Sequence, residues 1–200
     1  MKVIGLTGGI GTGKSTVSTY LKEKGCLILD ADRMSRELTA PGGAALPDIR
    51  EAFGDSVFFE DGTMNRKAVG EIVFNNSEKL AILENIITRK VAERTIEEVQ
   101  SLREKDFSGI VVLDAPLLFE CGMQQYADES WVVIADMDIR IHRIMERDGL
   151  DRESIISRIN NQMSDEEKIR IADYVINNSG SLETLYEQID QLLERVLNEK

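Results

Sequence analysis

Apolar residues along the chain form short runs that alternate with longer helical patterns. Residues 2–7 (KVIGLT) and 110–113 (IVVL) are apolar without alternation, which is typical of strands buried on both faces of a parallel sheet. Residues 26–29, 131–135 and, more weakly, 173–176 repeat this pattern. These five runs predict five strands with helices between them.

The first two strands are joined by a helix, and this arrangement determines the type of sheet. The helical pattern runs from Lys14 to Glu23 and stops at Gly25, a residue that suits a helix C-terminus. Strand, helix and strand in such quick succession form a βαβ unit, which implies a parallel sheet with a right-handed crossover. We therefore predict a three-layer α/β/α fold with a parallel five-stranded sheet.

Two helical segments interrupt the strand pattern. The chain between the second and third strands is too long for a simple crossover and includes a charge-rich helical pattern from Ser77 to about Lys105. A second segment is rich in arginine, and a last helix follows Ser181. We predict one domain with a core of about residues 1–32, 106–137 and 171–200, a helical insertion of about 33–105, and a segment of about 138–170.

The composition excludes some classes of protein and leaves phosphate chemistry open. Apolar residues make up 42% of the 200 residues, too many for a disordered chain, and the formal net charge is −12. That charge argues against a protein that coats nucleic acid or binds an anionic membrane. No apolar run approaches the roughly 18 residues of a membrane span, and Cys26 and Cys121 form no CxxC pair. We expect a cytoplasmic protein.

A glycine-rich stretch, residues 8–15 (GGIGTGKS), matches the phosphate-binding pattern GxxxxGK[ST]. Glycines let successive backbone N–H groups point at phosphate oxygens, and the following helix directs its positive N-terminal end toward them. Lys14 can reach the β- and γ-phosphates, and the Ser15 hydroxyl can ligate Mg²⁺. A plain glycine-rich turn needs neither residue at this offset, so the pattern predicts a P-loop NTPase fold. The predicted ATP-binding residues of this loop are Gly9, Gly11, Thr12, Gly13, Lys14, Ser15 and Thr16.

Acidic residues follow two of the predicted strands, where ligands of open α/β sheets bind. Asp30 and Asp32 come after the second strand, and Asp114 comes directly after the third. A carboxylate beside the γ-phosphate can accept a proton from an attacking hydroxyl, or hold Mg²⁺ through water. We predict the first role for the Asp30/Asp32 pair and the second for Asp114. The alternative for the pair is helix capping.

Segment 138–170, which we call the lid segment, carries Arg140, Arg143 and Arg147 on one helix face. Arginines that close over phosphates neutralise charge in the transition state, so we predict a mobile lid. The alternative is a solvated helix with ion pairs, because acidic residues are interleaved. A guanine-reading Asn-Lys-x-Asp is absent from the sequence, and motor ATPases are usually larger chains. A small kinase is the class that remains.

The chain resembles the dephospho-CoA kinase family from end to end. The P-loop is shared by many families, whereas PLLFE and the AD-x-VI-x-N-x-G ending are far more selective. The matching pieces are TGGIGTGKST (7–16), DADRMSRE (30–37), PLLFE (116–120), Arg143 with Arg147, Gln162, and ADYVINNSG (172–180).

The resemblance implies that ATP, with Mg²⁺, phosphorylates the ribose 3′-hydroxyl of dephospho-CoA, the last step of coenzyme A biosynthesis. By position, Asp32 then takes or orients the hydroxyl proton, and Lys14 and Arg143 complete the catalytic set. Arg147 and Asn178 join the ATP site, and Ser15 and Asp114 are the implied metal residues. The acceptor pocket that the resemblance implies contains Asp32, Arg36, Leu117, Phe119 and Glu120, together with the helical insertion.

Two departures from the family pattern bear on these roles. Thr88-Arg89 stands where the family often has His-Pro, which allows the insertion helix to continue unbroken, and Arg140 stands where the family often has Gln. The alternatives are another small-molecule or nucleoside monophosphate kinase of this fold, or a nucleotide-dependent switch without phosphotransfer. We expect small-molecule substrates, no nucleic-acid or membrane partner, and a monomer.

Overall fold

The computed structural model describes residues 1–198 of the chain. Two short 3₁₀ turns, Asp55–Val57 and Met123–Tyr126, accompany the strands and α-helices. The strands and α-helices, in chain order, are β1 (Lys2–Gly8), α1 (Lys14–Glu23), β2 (Leu27–Asp30), α2 (Ala31–Leu38), α3 (Leu46–Phe53), α4 (Arg66–Phe74), α5 (Ser77–Glu104), β3 (Ile110–Asp114), β4 (Glu129–Ile134), α6 (Met137–Asp148), α7 (Arg152–Asn160), α8 (Asp165–Ile171), β5 (Tyr174–Asn177) and α9 (Leu182–Asn198).

The five strands form one sheet in the order β2-β3-β1-β4-β5. The central strand β1 pairs in parallel with β3 and with β4, and β4 pairs in parallel with β5. This confirms the predicted five-stranded α/β fold, with strand positions within one or two residues of those predicted. The parallel order brings the carboxyl ends of β1 and β3 to the same edge, where the phosphate loop and Asp114 follow.

Strand β4 differs most from its prediction because it begins at two polar residues, Glu129 and Ser130. Both are buried. The carboxylate of Glu129 accepts a hydrogen bond of 2.8 Å from the indole N–H of Trp131 and pairs with Arg195 at 2.5 Å. Partners elsewhere in the chain therefore allow polar residues to begin a buried strand, which an apolar pattern cannot reveal.

Two compact units make up the chain, and the first comprises Met1–Leu29 together with the chain from Asp106 onward. Its core gathers side chains from β1, α1, β4 and α9, among them Leu6, Val17, Trp131 and Ile189. The lid segment adds a smaller cluster, in which Ile155 and Ile159 of α7 pack with Ile141 and Ile144 of α6. Helix α7 is therefore held to α6 by its apolar face.

The second unit, Asp30–Lys105, contains helices α2 to α5. It has its own apolar core, which includes Ala45, Ile49, Val69 and Ile86. Helix α5 runs unbroken for 28 residues. It passes through Thr88-Arg89 as expected, and Arg89 pairs with Asp48 at 2.6 Å and with Glu93 at 3.3 Å. Over residues 1–198, no helix is both long and apolar enough to cross a membrane.

Candidate active site

The phosphate loop occupies the five residues between β1 and α1. Gly11 and Gly13 have φ angles of +80° and +88°, a left-handed conformation that favours glycine. A Cβ atom on Gly13 would overlap Nδ2 of Asn178, so a larger residue there would also displace that amide. The buried Thr12 hydroxyl donates a hydrogen bond of 2.9 Å to the Gly9 carbonyl and closes the turn. The loop is therefore held in one conformation by its own residues.

Helix α1 begins directly after this loop, and its first turn contains Lys14, Ser15 and Thr16. No side chain of the described residues caps its N-terminus, and its first turn holds no acidic residue. Backbone N–H groups at such an end, together with the helix dipole, favour binding of an anion. The local backbone thus fits the predicted phosphate site.

Lys14 and Asp114 form an ion pair at the edge of the sheet. Asp114 is the last residue of β3 and lies beside Leu6 of β1, so the sheet register brings it to the phosphate loop. The two side chains are 16% and 9% exposed, respectively. The structure therefore brings together the residue predicted for the phosphates and one predicted for the metal.

The donor set at this position fits Mg²⁺. The Asp114 carboxylate and the Ser15 hydroxyl are hard oxygen ligands, and no group of three or more His, Cys, Asp or Glu residues that could hold a metal occurs within residues 1–198. Mg²⁺ is typically held by one or two protein oxygens and completes its shell with water and substrate phosphates. These two residues could therefore hold the ion together with a nucleotide.

Arg140 of the lid segment binds the phosphate loop directly. It is 3% exposed, and its Nε donates a hydrogen bond of 2.9 Å to the carbonyl oxygen of Ile10. Its Nη1 donates to Oδ2 of Asp165, also at 2.9 Å. The backbone N–H of Ile10 donates to Oε1 of Gln162 at 2.9 Å. Arg140 was not among the predicted site residues, although its spacing from Arg143 indicated the shared helix face.

Arg143 and Asn178 meet the other side of the same loop. Nη2 of Arg143 donates to the Asn178 carbonyl at 3.0 Å, and its Nη1 lies 3.4 Å from the Thr12 carbonyl oxygen. The buried Asn178 amide donates to that same Thr12 oxygen at 2.8 Å. Predicted catalytic and ATP-binding residues from three distant parts of the sequence therefore meet at the loop.

Arg147 is not brought to the loop. Its Nε and Nη2 donate to both carboxylate oxygens of Asp148 at 2.8 Å, and its side chain is 63% exposed. Hydrogen bonding to Asp148 raises the pKa of Arg147, and the guanidinium lowers the pKa of Asp148. In this structure the ion-paired helix surface, given above as the alternative, describes Arg147, whereas Arg140 and Arg143 contact the loop.

The PLLFE sequence lies in a tight turn after β3, which we call the acceptor turn (residues 115–123). Backbone hydrogen bonds hold it, including Met123 N–H to the Leu118 carbonyl at 2.8 Å. Leu117 is 46% exposed, whereas Phe119 is buried. Of the three predicted acceptor residues here, only Leu117 thus presents an apolar side chain to solvent.

Glu120, the third of these residues, is paired with Lys168 of α8 at 2.9 Å. Lys168 is fully buried. No pattern in the sequence indicates this pair, because 48 positions separate the two residues and Lys168 lies in an otherwise charged, polar stretch. Lys168 was not among the residues predicted from the sequence, although it contacts a predicted site residue.

Three of the predicted site residues, Asp30, Asp32 and Arg36, belong to the second unit. Asp30 caps helix α2, since its carboxylate accepts a hydrogen bond of 2.9 Å from the Arg33 N–H. Asp32 and Arg36 lie one turn apart on α2 and are exposed. The Asp32 carboxylate forms no ion pair or hydrogen bond with a side chain of residues 1–198. Capping therefore describes Asp30, and Asp32 is the carboxylate that is available for other contacts.

Comparison with known proteins agrees with this geometry. The sequence profile of the family described as dephospho-CoA kinase matches residues 2–184. The dephospho-CoA kinase of Carboxydothermus hydrogenoformans is 43% identical over 98% of this chain and 94% of its own length. That of Staphylococcus haemolyticus is 46% identical over 96% of this chain and 94% of its own length.

Solved structures show the same fold. The structure of dephospho-CoA kinase from Campylobacter jejuni has a TM-score of 0.63 and 25% identity, and covers 98% of this chain and 97% of its own. Shikimate kinase from Bacteroides thetaiotaomicron, at 15% identity, shares the fold with a TM-score of 0.50 and covers 98% of each chain. The P-loop kinase fold predicted from the sequence is confirmed. The chain belongs to the dephospho-CoA kinase family and is an ATP-dependent kinase.

Proposed function

We propose that the protein transfers the γ-phosphate of ATP to the ribose 3′-hydroxyl of dephospho-CoA, which yields CoA and ADP. The observation that carries this proposal is the phosphate loop, with Lys14, Arg143 and Asn178 converging on it, in a chain of this family. We further propose that Mg²⁺ accompanies ATP and that the protein acts as a monomer in the cytoplasm.

The P-loop backbone and Lys14 are the proposed cradle for the β- and γ-phosphates. In the structure Lys14 is paired with Asp114. A nucleotide phosphate offers Lys14 a second anion, and the freed Asp114 carboxylate, with Ser15, would hold Mg²⁺. When bound, this ion neutralises charge on the phosphates and orients them for in-line transfer. Both members of the ion pair therefore have a defined role once ATP binds.

Arg143 and Asn178 are proposed to define the nucleoside side of the site. Because they are hydrogen-bonded to the loop and to each other, their positions are determined before ATP arrives. Arg143 is also the proposed cation for the transferring phosphoryl group, where a preorganised guanidinium stabilises developing charge. We also propose Arg147 as an ATP contact. In that role its guanidinium would have to leave Asp148 and bind ATP instead.

Asp32 is the proposed group that accepts or orients the proton of the acceptor hydroxyl. Its carboxylate is exposed and unengaged, in contrast to that of Asp30. Phosphoryl transfer passes through a loose transition state in most analyses, so orientation of the hydroxyl contributes more than basicity. Arg36, Leu117, Phe119 and Glu120 are the proposed acceptor-pocket residues.

An ADP-release assay tests the proposal. Purified protein with Mg-ATP should release ADP at a rate that dephospho-CoA strongly stimulates and nucleoside monophosphates do not. Removal of Mg²⁺ with a chelator should abolish the stimulated rate, and addition of excess Mg²⁺ should restore it. Slow ADP release that dephospho-CoA leaves unchanged would instead identify a nucleotide-dependent switch. Preference for a nucleoside monophosphate would identify another kinase of this fold.

A further inference from the structure

The ion pair between the fully buried Lys168 and the partly exposed Glu120 has no role in the mechanism above. Lysine is almost never fully buried unless it is paired, because removal of an ammonium group from water is costly. Lys168 is 0% exposed, and its Nζ lies 2.9 Å from Oε1 of Glu120. Among residues 1–198, Glu120 is the only carboxylate within ion-pair distance of this group. The position of Lys168 therefore depends on Glu120.

Stability alone is a weak explanation for such a pair. Replacement of a buried ion pair by apolar side chains of similar volume is often neutral or stabilising, because desolvation offsets the attraction. What such a pair does supply is a defined position, since the buried Lys168 ammonium is left without a compensating charge if Glu120 moves away. Lys168 is thus suited to hold the chain around Glu120 in one place.

The two partners lie on elements that have different functions. Glu120 is in the acceptor turn, between the exposed Leu117 and the backbone hydrogen bonds that close the turn at Gly122 and Met123. Lys168 is in α8, which follows α7 in the lid segment. The ion pair therefore joins the acceptor turn to the lid segment.

Helix α8 is anchored to the phosphate loop as well. Its first residue, Asp165, binds Arg140 at 2.9 Å, and Arg140 binds the Ile10 carbonyl. Asp165 and Lys168 are three positions apart, so they lie on neighbouring parts of one helix face. One short helix is thus linked directly to the acceptor turn through Lys168, and to the phosphate loop by way of Arg140.

We infer that Lys168 is a positioning residue that fixes the acceptor turn for binding of the dephospho-CoA acceptor and couples that turn to the lid segment. It is not a catalytic residue, because its ammonium is enclosed and paired. The inference rests on the proposed function for the identity of the acceptor. Its structural part, the restraint of residues 115–123, can be measured without catalysis.

The kinetic test compares Lys168→Met with Arg195→Met. The control removes a partly buried ion pair of the same unit, at the start of β4, where no proposed site residue lies. For Lys168→Met we expect the KM for dephospho-CoA to rise about tenfold, because the acceptor turn is no longer held in position. The KM for ATP should change less than about twofold. The control should leave both KM values unchanged. An unaltered KM for dephospho-CoA, or equal increases for both substrates, would overturn the inference.

Amide hydrogen exchange supplies a readout that does not depend on turnover. In Lys168→Met we expect the amides of Cys121, Gly122 and Met123 to exchange about tenfold faster, with no change in the control. Unchanged protection would refute the positioning role even if activity fell. If wild-type protein does not phosphorylate dephospho-CoA, the proposed function fails, and exchange still decides whether Lys168 restrains the turn.

A second variant keeps the test decisive if Lys168→Met does not fold. Glu120→Gln preserves side-chain size, and its site is partly open to solvent, since the Glu120 side chain is 21% exposed. It should produce the same faster exchange in the acceptor turn. In the double variant, exchange should be no faster than in the more affected single variant, because both changes remove one interaction. Additive effects would show that the two residues act separately.

Discussion

The phosphate loop and helix α2 differ in how far their functional groups are already engaged. Around the loop, Thr12, Arg140, Arg143 and Asn178 are tied to backbone atoms or to one another. On α2, the Asp32 side chain is exposed. Many proteins share this type of phosphate-binding loop. Here it is formed by the backbone and by the side chains that are hydrogen-bonded to it, without a ligand. Groups that act on the acceptor hydroxyl must instead remain available.

The largest expected effect tests the preorganised loop. Lys14→Ala should lower phosphotransfer by about 10³-fold, because a cation aimed at the β- and γ-phosphates is lost. Steady-state kinetics with dephospho-CoA measures this loss, and thermal unfolding should show that the fold remains intact. Lys24→Ala is the matched control, since Lys24 is a lysine of the same unit paired with Asp190 on the surface. Unaltered kinetics in Lys14→Ala would refute the phosphate-loop assignment.

The second effect tests the exposed group on α2. Asp32→Asn should lower kcat by about 10²-fold, the scale of a lost general base, while ATP binding measured by calorimetry stays near the wild-type value. The control is Asp30→Asn, because asparagine also caps helices well and should leave turnover largely unchanged. Wild-type turnover in Asp32→Asn would remove Asp32 from its role. A comparable loss in both variants would show that α2 acts as a structural element.

The third effect separates two arginines of the same helix. Arg140→Met should lower kcat/KM for ATP about tenfold, because a buried anchor of the Ile10 carbonyl is lost and the loop becomes less ordered. Arg147→Met should lower it by only about twofold, because the exposed Arg147 guanidinium must first leave Asp148 before it can contact ATP. Both substitutions replace an arginine of the same helix by methionine. Steady-state kinetics with varied ATP measures kcat/KM for each variant. Equal effects would contradict the distinction between buried and exposed arginines.

The sequence predicted the elements that have local signals. Apolar runs located the strands, and the Gly-x-x-x-x-Gly-Lys-Ser pattern located the loop. Both could be predicted because consecutive residues form each element and also carry its sequence pattern. Helix α1 begins and ends at the predicted residues. The long helix α5 was also predicted to within one residue of its end.

The contacts that the sequence did not reveal all join residues that are far apart in the chain. Three examples are Arg140 with the Ile10 carbonyl, Lys168 with Glu120 and Arg195 with Glu129. Each is a single contact between separate elements, and in the sequence its charged residues resemble ordinary surface charges. Burial turns these charges into structural contacts, and burial depends on the packing of whole elements. A single sequence contains no repeated or local pattern that could identify them.

The close approach of Asn178 to the phosphate loop has a consequence for sequence variation. The Asn178 amide occupies the place that a Cβ on Gly13 would need, and the backbone at Gly13 is left-handed. A smaller residue at position 178 would remove the clash but not the backbone strain, so no change near the end of the chain can compensate for a substitution at Gly13. In design or directed evolution, any substitution at position 13 therefore carries backbone strain, whereas a change at position 178 is limited by its contacts with the Thr12 carbonyl and Arg143.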